Sequence, residues 1–264
     1  MEQVHQSVLL DECLDALAVK SGDTVIDATI GGAGHFSALR MRLGERGTLV
    51  GIDADEDAIA RASAVTQGHT GPRVILAHDN FRNLDAILEH EGIEYIDKAL
   101  FDLGWSSFHL TSGRGFSFRA DEPLYMTYGS PEEGKTAADL INSATEEELS
   151  DIIFTYGEER FARGIARSIV ETRRDAPILT TTELADAVTR GTPGWYQHRR
   201  LHPATKTFQA LRIAVNDELG ALRAGLGSAM SRLTPGGRIA VITFHSIEDR
   251  IVKGLFRDAA YEGT

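Results

Sequence analysis

The chain has 264 residues, 42% of them apolar, which is enough for a large core and too apolar for a disordered chain. Its single cysteine, Cys13, excludes an intrachain disulfide and suits a reducing, cytoplasmic setting, and no apolar run is long enough to span a bilayer. A net charge of −12 excludes phosphate binding by the surface as a whole and confines any nucleic-acid contact to a local patch.

Four β-rich runs open the chain, at 24–29 (TVIDAT), 47–55, 73–79 and 98–104 (KALFDLG), with helical patterns between them. A fifth, at 237–246 (GRIAVITFHS), follows the turn signal LTPGG and a long helical pattern running from Thr205 through Leu211, Val215, Leu219, Leu222 and Leu226 to Met230. Strands alternating with helices call for a parallel sheet covered on both faces. Roughly 130 residues separate the fourth run from the fifth, far more than a crossover helix needs, so a module is inserted there. The expected division is a sheet domain from 1–105 and 205–264 and a mostly helical, substrate-recognising insertion from 106–204.

In the insertion, Phe161, Ile165 and Ile169 recur every four residues, and Arg160, Arg163, Arg167 and Arg174 fall in a narrow arc beside them. From Glu159 to Arg212 ten basic residues face five acidic ones, a local +5 that leaves −17 elsewhere. Such segregation suits a polyanion contact, with a merely solvated helix face as the competing reading. Arg114, Arg160, Arg163, Arg167, Arg199 and Arg200 are the candidate substrate contacts.

The strand ends carry the chemistry. After the first run, Gly31, Gly32 and Gly34 form a strand-to-helix turn where backbone can approach a ligand. The second run ends in Asp53, 19 residues after Gly34, where a carboxylate can accept from both hydroxyls of a ribose. A dinucleotide turn would end in a small residue, but Phe36 stands there. Asp27, four residues before Gly31, gives Asp-x-x-x-Gly-Gly-x-Gly, which resembles the first motif of Class I methyltransferases and suits S-adenosylmethionine. At the third strand end Asp79 and Phe81 are placed for an adenine amine and ring face, with a local Asp/Asn turn as the alternative.

Asp102 closes the fourth run, and Asp102-Leu103-Gly104-Trp105 could hold an exocyclic amine and stack its base. Turn capping by Asp102 and gap filling by Trp105 are the competing readings. His245 closes the fifth run as a candidate catalytic group. His198 and His202 have i,i+4 spacing without an evident third ligand, so no metal site is assigned.

Taken together, the strings HQSVLLDECLDAL, DATIGGAGH, GIDADEDAI, FDLGWSS, RGFSFR, YGEERFARGIARSIV, HPATKTFQALRIAVNDEL and PGGRIAVITFHSIEDRIVK resemble the bacterial 16S rRNA (cytosine-1402-N4)-methyltransferase family, RsmH or MraW, across positions 5–253. The resemblance implies an α/β, Rossmann-like Class I methyltransferase sheet with an inserted helical domain. It also implies S-adenosylmethionine as donor and methylation of a cytidine N4 amine in the decoding region of 16S rRNA within the small ribosomal subunit. Its cofactor contacts fall on Ala33, Gly34, His35, Asp53, Phe81 and Asp102, and His109 stands where the family has a contact glutamine. Three departures bear on substrate handling: Trp105 replaces a valine, PLYMTYG replaces PLDMRMD, and the arginine-rich end of the family is absent. DNA cytosine-N4 methylation and a catalytically impaired subunit-assembly factor are the alternative functions.

Overall fold

The computed structural model describes residues 7–68, 70–104, 107–110, 112–132 and 134–262, with the backbone alone at 107, 109 and 262. In chain order it contains α1 (Leu10–Leu17), β1 (Thr24–Asp27), α2 (Gly34–Arg42), β2 (Thr48–Asp53), α3 (Glu56–Thr66), β3 (Arg73–His78), α4 (Leu84–His90) and β4 (Ile96–Asp102). Then come α5 (Ser107–Leu110), α6 (Ala137–Ser143), α7 (Glu146–Gly157), α8 (Ala162–Asp175), α9 (Thr181–Arg190) and α10 (Ala204–Asn216). After these, α11 (Glu218–Ser231), β5 (Leu233–Ile242) and α12 (Ser246–Glu262) follow. Contacts divide the chain into two units, Met1–Ser106 with Leu219–Thr264, and Ser107–Glu218.

In the first unit the five strands found among the described residues form one parallel sheet in the order β3-β2-β1-β4-β5. This is the Rossmann-like α/β sheet the sequence predicts. The side-chain period of two separates neighbours into two cores. Val25, Leu49 and Leu100 pack with Leu14, Leu17, Phe36 and Leu39 on one face, while Ile26, Val50 and Phe101 pack with Leu84, Leu88, Leu222 and Leu226 on the other. The central strands β1, β2 and β4 therefore read as near-continuous apolar runs because both their faces are covered, whereas β3 and β5 at the edges are only partly buried.

Phe36, which breaks the dinucleotide pattern, is fully buried against Gly51 of β2, where a Cβ would sit 2.6 Å from its ring. The small residue that lets helix and sheet approach is on the strand instead of the helix. Chain order reverses between β1 and β4, the position in an open α/β sheet where strand ends diverge to form a ligand crevice.

Two segments differ from the sequence reading. β5 begins at Leu233, so LTPGG lies inside the strand: the register jumps from Ile96 opposite Leu233 to Lys98 opposite Arg238. Pro235 has no N–H for the ladder and Gly236 has φ +80°, so the extra residues bulge without ending the pairing. The helical pattern from Thr205 to Met230 is two helices, because Asp217 between α10 and α11 takes a left-handed conformation (φ 46°).

The second unit has its own core, with Ile141 of α6, Leu149 and Ile153 of α7, Ile165 and Ile169 of α8, Leu184 and Val188 of α9, and Phe208 and Leu211 of α10. Thr136, Thr145 and Thr180 each accept from the backbone N–H three residues on, while the carboxylates of Asp139, Glu148 and Glu183 accept from the N-cap N–H groups in return, so α6, α7 and α9 start from capping boxes.

Candidate functional site

Four carboxylates close four parallel strands of the first unit, and their hydrogen bonding divides them into two kinds. At β2 and β3 the carboxylates build the turn. Asp53 Oδ2 accepts from Gly31 N–H at 2.8 Å and Oδ1 from Asp55 N–H at 2.9 Å, so Asp53 ties the glycine turn to its own strand end. Each oxygen keeps a second lone pair for a ligand hydroxyl. Asp79 Oδ1 accepts from Asn80 N–H at 2.7 Å and Asn83 Nδ2 at 2.8 Å, the local turn that competes with adenine binding in the sequence reading.

At β1 and β4 each carboxylate keeps one oxygen without a hydrogen-bond partner among the described residues. Asp27 is wholly buried; its Oδ1 accepts from Thr29 N–H at 3.2 Å, and its Oδ2 has no hydrogen-bond partner among the described residues. Asp102 is one-quarter exposed; its Oδ2 lies 3.5 Å from Nδ1 of the buried His35, and its Oδ1 is buried without a partner among the described residues. Its backbone N–H donates to Thr29 Oγ1 at 2.8 Å, fixing the strand end.

Burial raises all three carboxyls at these ends. The Asp102 carboxyl is pushed up to about 6, and the Asp27 carboxyl well above its ordinary range, by burial and then by the charges of Asp102 and Asp53. Burial raises Asp53 too, although the N–H groups of Gly31 and Asp55 pull the other way. Cys13 of α1 is pushed up to about 11 by burial and by Asp102, so it is a neutral thiol rather than a nucleophile. A ligand that brings positive charge would offset the cost of ionising these clustered carboxyls.

The glycine turn has the predicted shape. Gly31 has φ 51°, and Ala33 takes the left-handed conformation (φ 62°) at the start of α2, where it has no oxygen with which to cap the helix. A Cβ on Gly34 would meet Ser7 Oγ at 2.0 Å, so the N-terminal segment also relies on a bare backbone there. Phe81 meets Phe101 edge-to-face at 5.6 Å and lies against Gly225, where a Cβ would be 2.6 Å from its ring. Its ring therefore helps build the sheet's core as well as standing at the β3 end.

His245 is engaged locally. Glu248, almost wholly buried, accepts at Oε2 from Phe244 N–H (2.9 Å) and His245 N–H (3.3 Å), while Glu248 N–H donates to His245 Nδ1 at 3.4 Å. The ring's Nε2 lies 3.1 Å from Glu248 Oε1 without hydrogen-bond alignment. His245 thus belongs to a reciprocal cap at the start of α12. Trp105 lies outside the described residues, as does the side chain of His109.

In the second unit Arg160, Arg163, Arg167, Arg199 and Arg200 are exposed. Arg167 approaches Glu146 at 3.5 Å. Arg114 is half-buried and donates to the Tyr128 carbonyl at 2.8 Å, which gives it a part in holding its loop. Two residues without a sequence signal join the first unit's site. Arg61 of α3 donates to the Gly31 carbonyl at 3.0 Å and so buttresses the glycine turn. Phe244, 56% exposed, lies beside Gly104, whose φ of +91° and 3.5 Å Cβ clearance to that ring favour glycine.

A family model described as the MraW methylase family matches residues 2–263. The chain is 47% identical over 254 residues to the ribosomal RNA small subunit methyltransferase H of Syntrophotalea carbinolica, covering 96% of this chain and 80% of that protein. It is likewise 47% identical over 251 residues to the protein of that name from Deinococcus deserti, covering 95% and 80% respectively. The namesake from Carboxydothermus hydrogenoformans is 46% identical over 258 residues, with 97% and 81% covered.

Proposed function

Given that the chain belongs to the MraW methylase family, we propose that it transfers a methyl group from S-adenosylmethionine to the N4 amine of a cytidine in 16S rRNA, at the decoding-region position 1402. The observation that carries the reading is the pair of buried oxygens without partners, Asp27 Oδ2 and Asp102 Oδ1, on the adjacent parallel strands β1 and β4. Two carboxyl groups with one buried oxygen each left without a partner among the described residues fit a ligand that brings positive charge and hydrogen-bond donors. When bound, S-adenosylmethionine supplies a transferable methyl on a positively charged sulfur beside an ammonium group.

The residues divide the work. Asp27 faces the cationic amino-acid end of the donor, the turn at Gly31, Ala33 and Gly34 admits it closely, and Asp53 takes the ribose. Phe81 borders the adenine. Asp102 accepts a hydrogen bond from the cytidine amine and orients the nitrogen toward the methyl. The lone pair of that amine is delocalised into the ring, so fixing its hydrogens lowers the barrier by orientation and electrostatics. His35, 3.5 Å from Asp102, positions the carboxylate. Trp105 supplies the stacking plane for the extruded base. Arg160, Arg163, Arg167, Arg199 and Arg200 of the helical unit take phosphates, a sum of individually weak contacts.

Transfer of a radiolabelled methyl group to small ribosomal subunits lacking the modification, followed by nucleoside analysis, tests the reading. Label recovered as N4-methylcytidine from subunits supports it. Label on DNA favours the first alternative, and subunit binding without transfer favours an assembly factor.

A further inference from the structure

The segment 191–201 (GTPGWYQHRRL), between α9 and α10, places a tryptophan on the surface of the helical unit in an unusually braced setting. Tyr196 is buried, and its hydroxyl donates to Glu159 Oε2 at 2.6 Å. The wholly buried Glu159 also accepts from Phe161 N–H at 2.9 Å, so one carboxylate ties this segment to the start of α8. Thr192 Oγ1 and Gln197 Nε2 both donate to the Thr189 carbonyl at the end of α9, at 2.8 and 3.0 Å. Gly164 and Gly191 let the two backbones touch: a Cβ on Gly191 would lie 2.6 Å from Ile165 Cα.

On this clamp Trp195 remains 57% exposed. It meets Phe161 and Tyr196 edge-to-face, each with ring centroids 5.8 Å apart. The Arg160 guanidinium lies 4.8 Å from its ring and 4.6 Å from that of Phe161, while Arg199 lies 5.3 Å from Tyr196. Edge contacts hold the indole upright where it could otherwise collapse onto the helix and bury itself. A large aromatic kept rigid with more than half of its surface in water suits a flat partner that it can cover without losing freedom on binding.

Charge identifies the partner. From Ala187 to Asn216 the chain has no acidic residue, whereas Arg190, Arg199, Arg200 and Lys206 are basic; Arg212 is buried and taken up by Glu218. An exposed aromatic with one guanidinium against its ring and a second over the neighbouring Tyr196 matches a base joined to phosphates. Only unpaired nucleotides offer a free base face, which favours single-stranded RNA over duplex.

We propose that Trp195 is a stacking platform for an unpaired base of the RNA substrate, other than the methylated cytidine, with Arg160, Arg199 and Arg200 holding its flanking phosphates. The inference rests on the reading above that the substrate is RNA, and it adds a second recognised nucleotide.

The test uses the full chain with three fluorescent probes: a single-stranded uridine oligonucleotide, an RNA duplex and a polyglutamate peptide. Trp195→Ala should weaken binding of the single strand about tenfold, leave its salt slope intact, and be largely rescued by Trp195→Phe. Arg199→Gln with Arg200→Gln should flatten the slope. In a Trp105→Phe background Trp195 is the one remaining tryptophan, and the oligonucleotide should quench its emission. On small subunits Trp195→Ala should raise KM about tenfold with much less effect on kcat. Unchanged single-strand affinity and KM in a folded Trp195→Ala protein would overturn the platform, as would preferential binding of the peptide. Wild-type protein that binds the oligonucleotide through Trp195 yet transfers no methyl would instead overturn the methylation reading alone.

Discussion

The sheet unit and the helical unit use charge of opposite sign under opposite solvation. Asp27 and Asp102 each have one oxygen withdrawn from water and left unpartnered among the described residues, whereas Arg160, Arg163, Arg199 and Arg200 stand in water. An exposed guanidinium is cheap to place and individually weak, so binding by such groups is a sum over many. A buried carboxylate is costly to keep and individually decisive. Losing one residue should therefore be catastrophic in the sheet unit and graded in the helical one.

Asp102→Ala should show the largest effect, a fall of about a thousandfold in single-turnover methyl transfer with the fold intact; a loss of less than tenfold would erase the contrast. Changing Arg160, Arg163 and Arg167 together to Gln should weaken subunit binding by about ten- to a hundredfold at low salt and flatten the log–log salt slope by about two to three. Arg167 should contribute least of the three, because Glu146 already offsets part of its charge. A collapse on mutating any one of them would make the helical unit as concentrated as the sheet.

Asp102→Asn should stabilise the protein while abolishing most of its activity. The folded Asp102 carboxyl sits at about 6 against an ordinary 3.8, so the favourable contribution of its protonated form is complete below 3.8 and lost as pH rises through 6. Allowing for its partial exposure, the variant should gain about 2 kcal/mol at pH 7.5, with the gain shrinking as pH falls from 6 toward 4, read by denaturant melts. The wild-type transfer rate should fall over the same acid range as the acceptor becomes protonated. His245→Ala should show the smallest effect, about 1 kcal/mol of stability from the lost cap and at most a few-fold change in kcat. A hundredfold loss of kcat in a folded His245→Ala protein would put this histidine beside Asp102 in the chemistry.

The sheet is legible in the sequence because its central strands β1, β2 and β4, buried on both faces, read as apolar runs and end in the polar residues that mark the crevice, Asp27, Asp53 and Asp102. What eludes the sequence is partnership. LTPGG carries a strong turn signal, yet β4 continues to pair beyond it, so it forms a bulge. The apolar spacing from Leu211 to Met230 hides the break at Asp217, since a left-handed residue can be any polar one that tolerates it. Arg114 counts as a cation in the sequence but donates to Tyr128, and His245 resembles a catalytic group but sits in a cap. Phe244 and Arg61 take their meaning from neighbours far away in the chain, Gly104 and Gly31.

The unanswered oxygens of Asp27 and Asp102 also bear on how long the polypeptide survives. A ligand that answers them binds the native state alone, and at a hundred times its dissociation constant adds about 2.7 kcal/mol to the resistance against unfolding. On the proposed reading, a shortage of methyl donor shortens the chain's survival against proteases as well as slowing its catalysis.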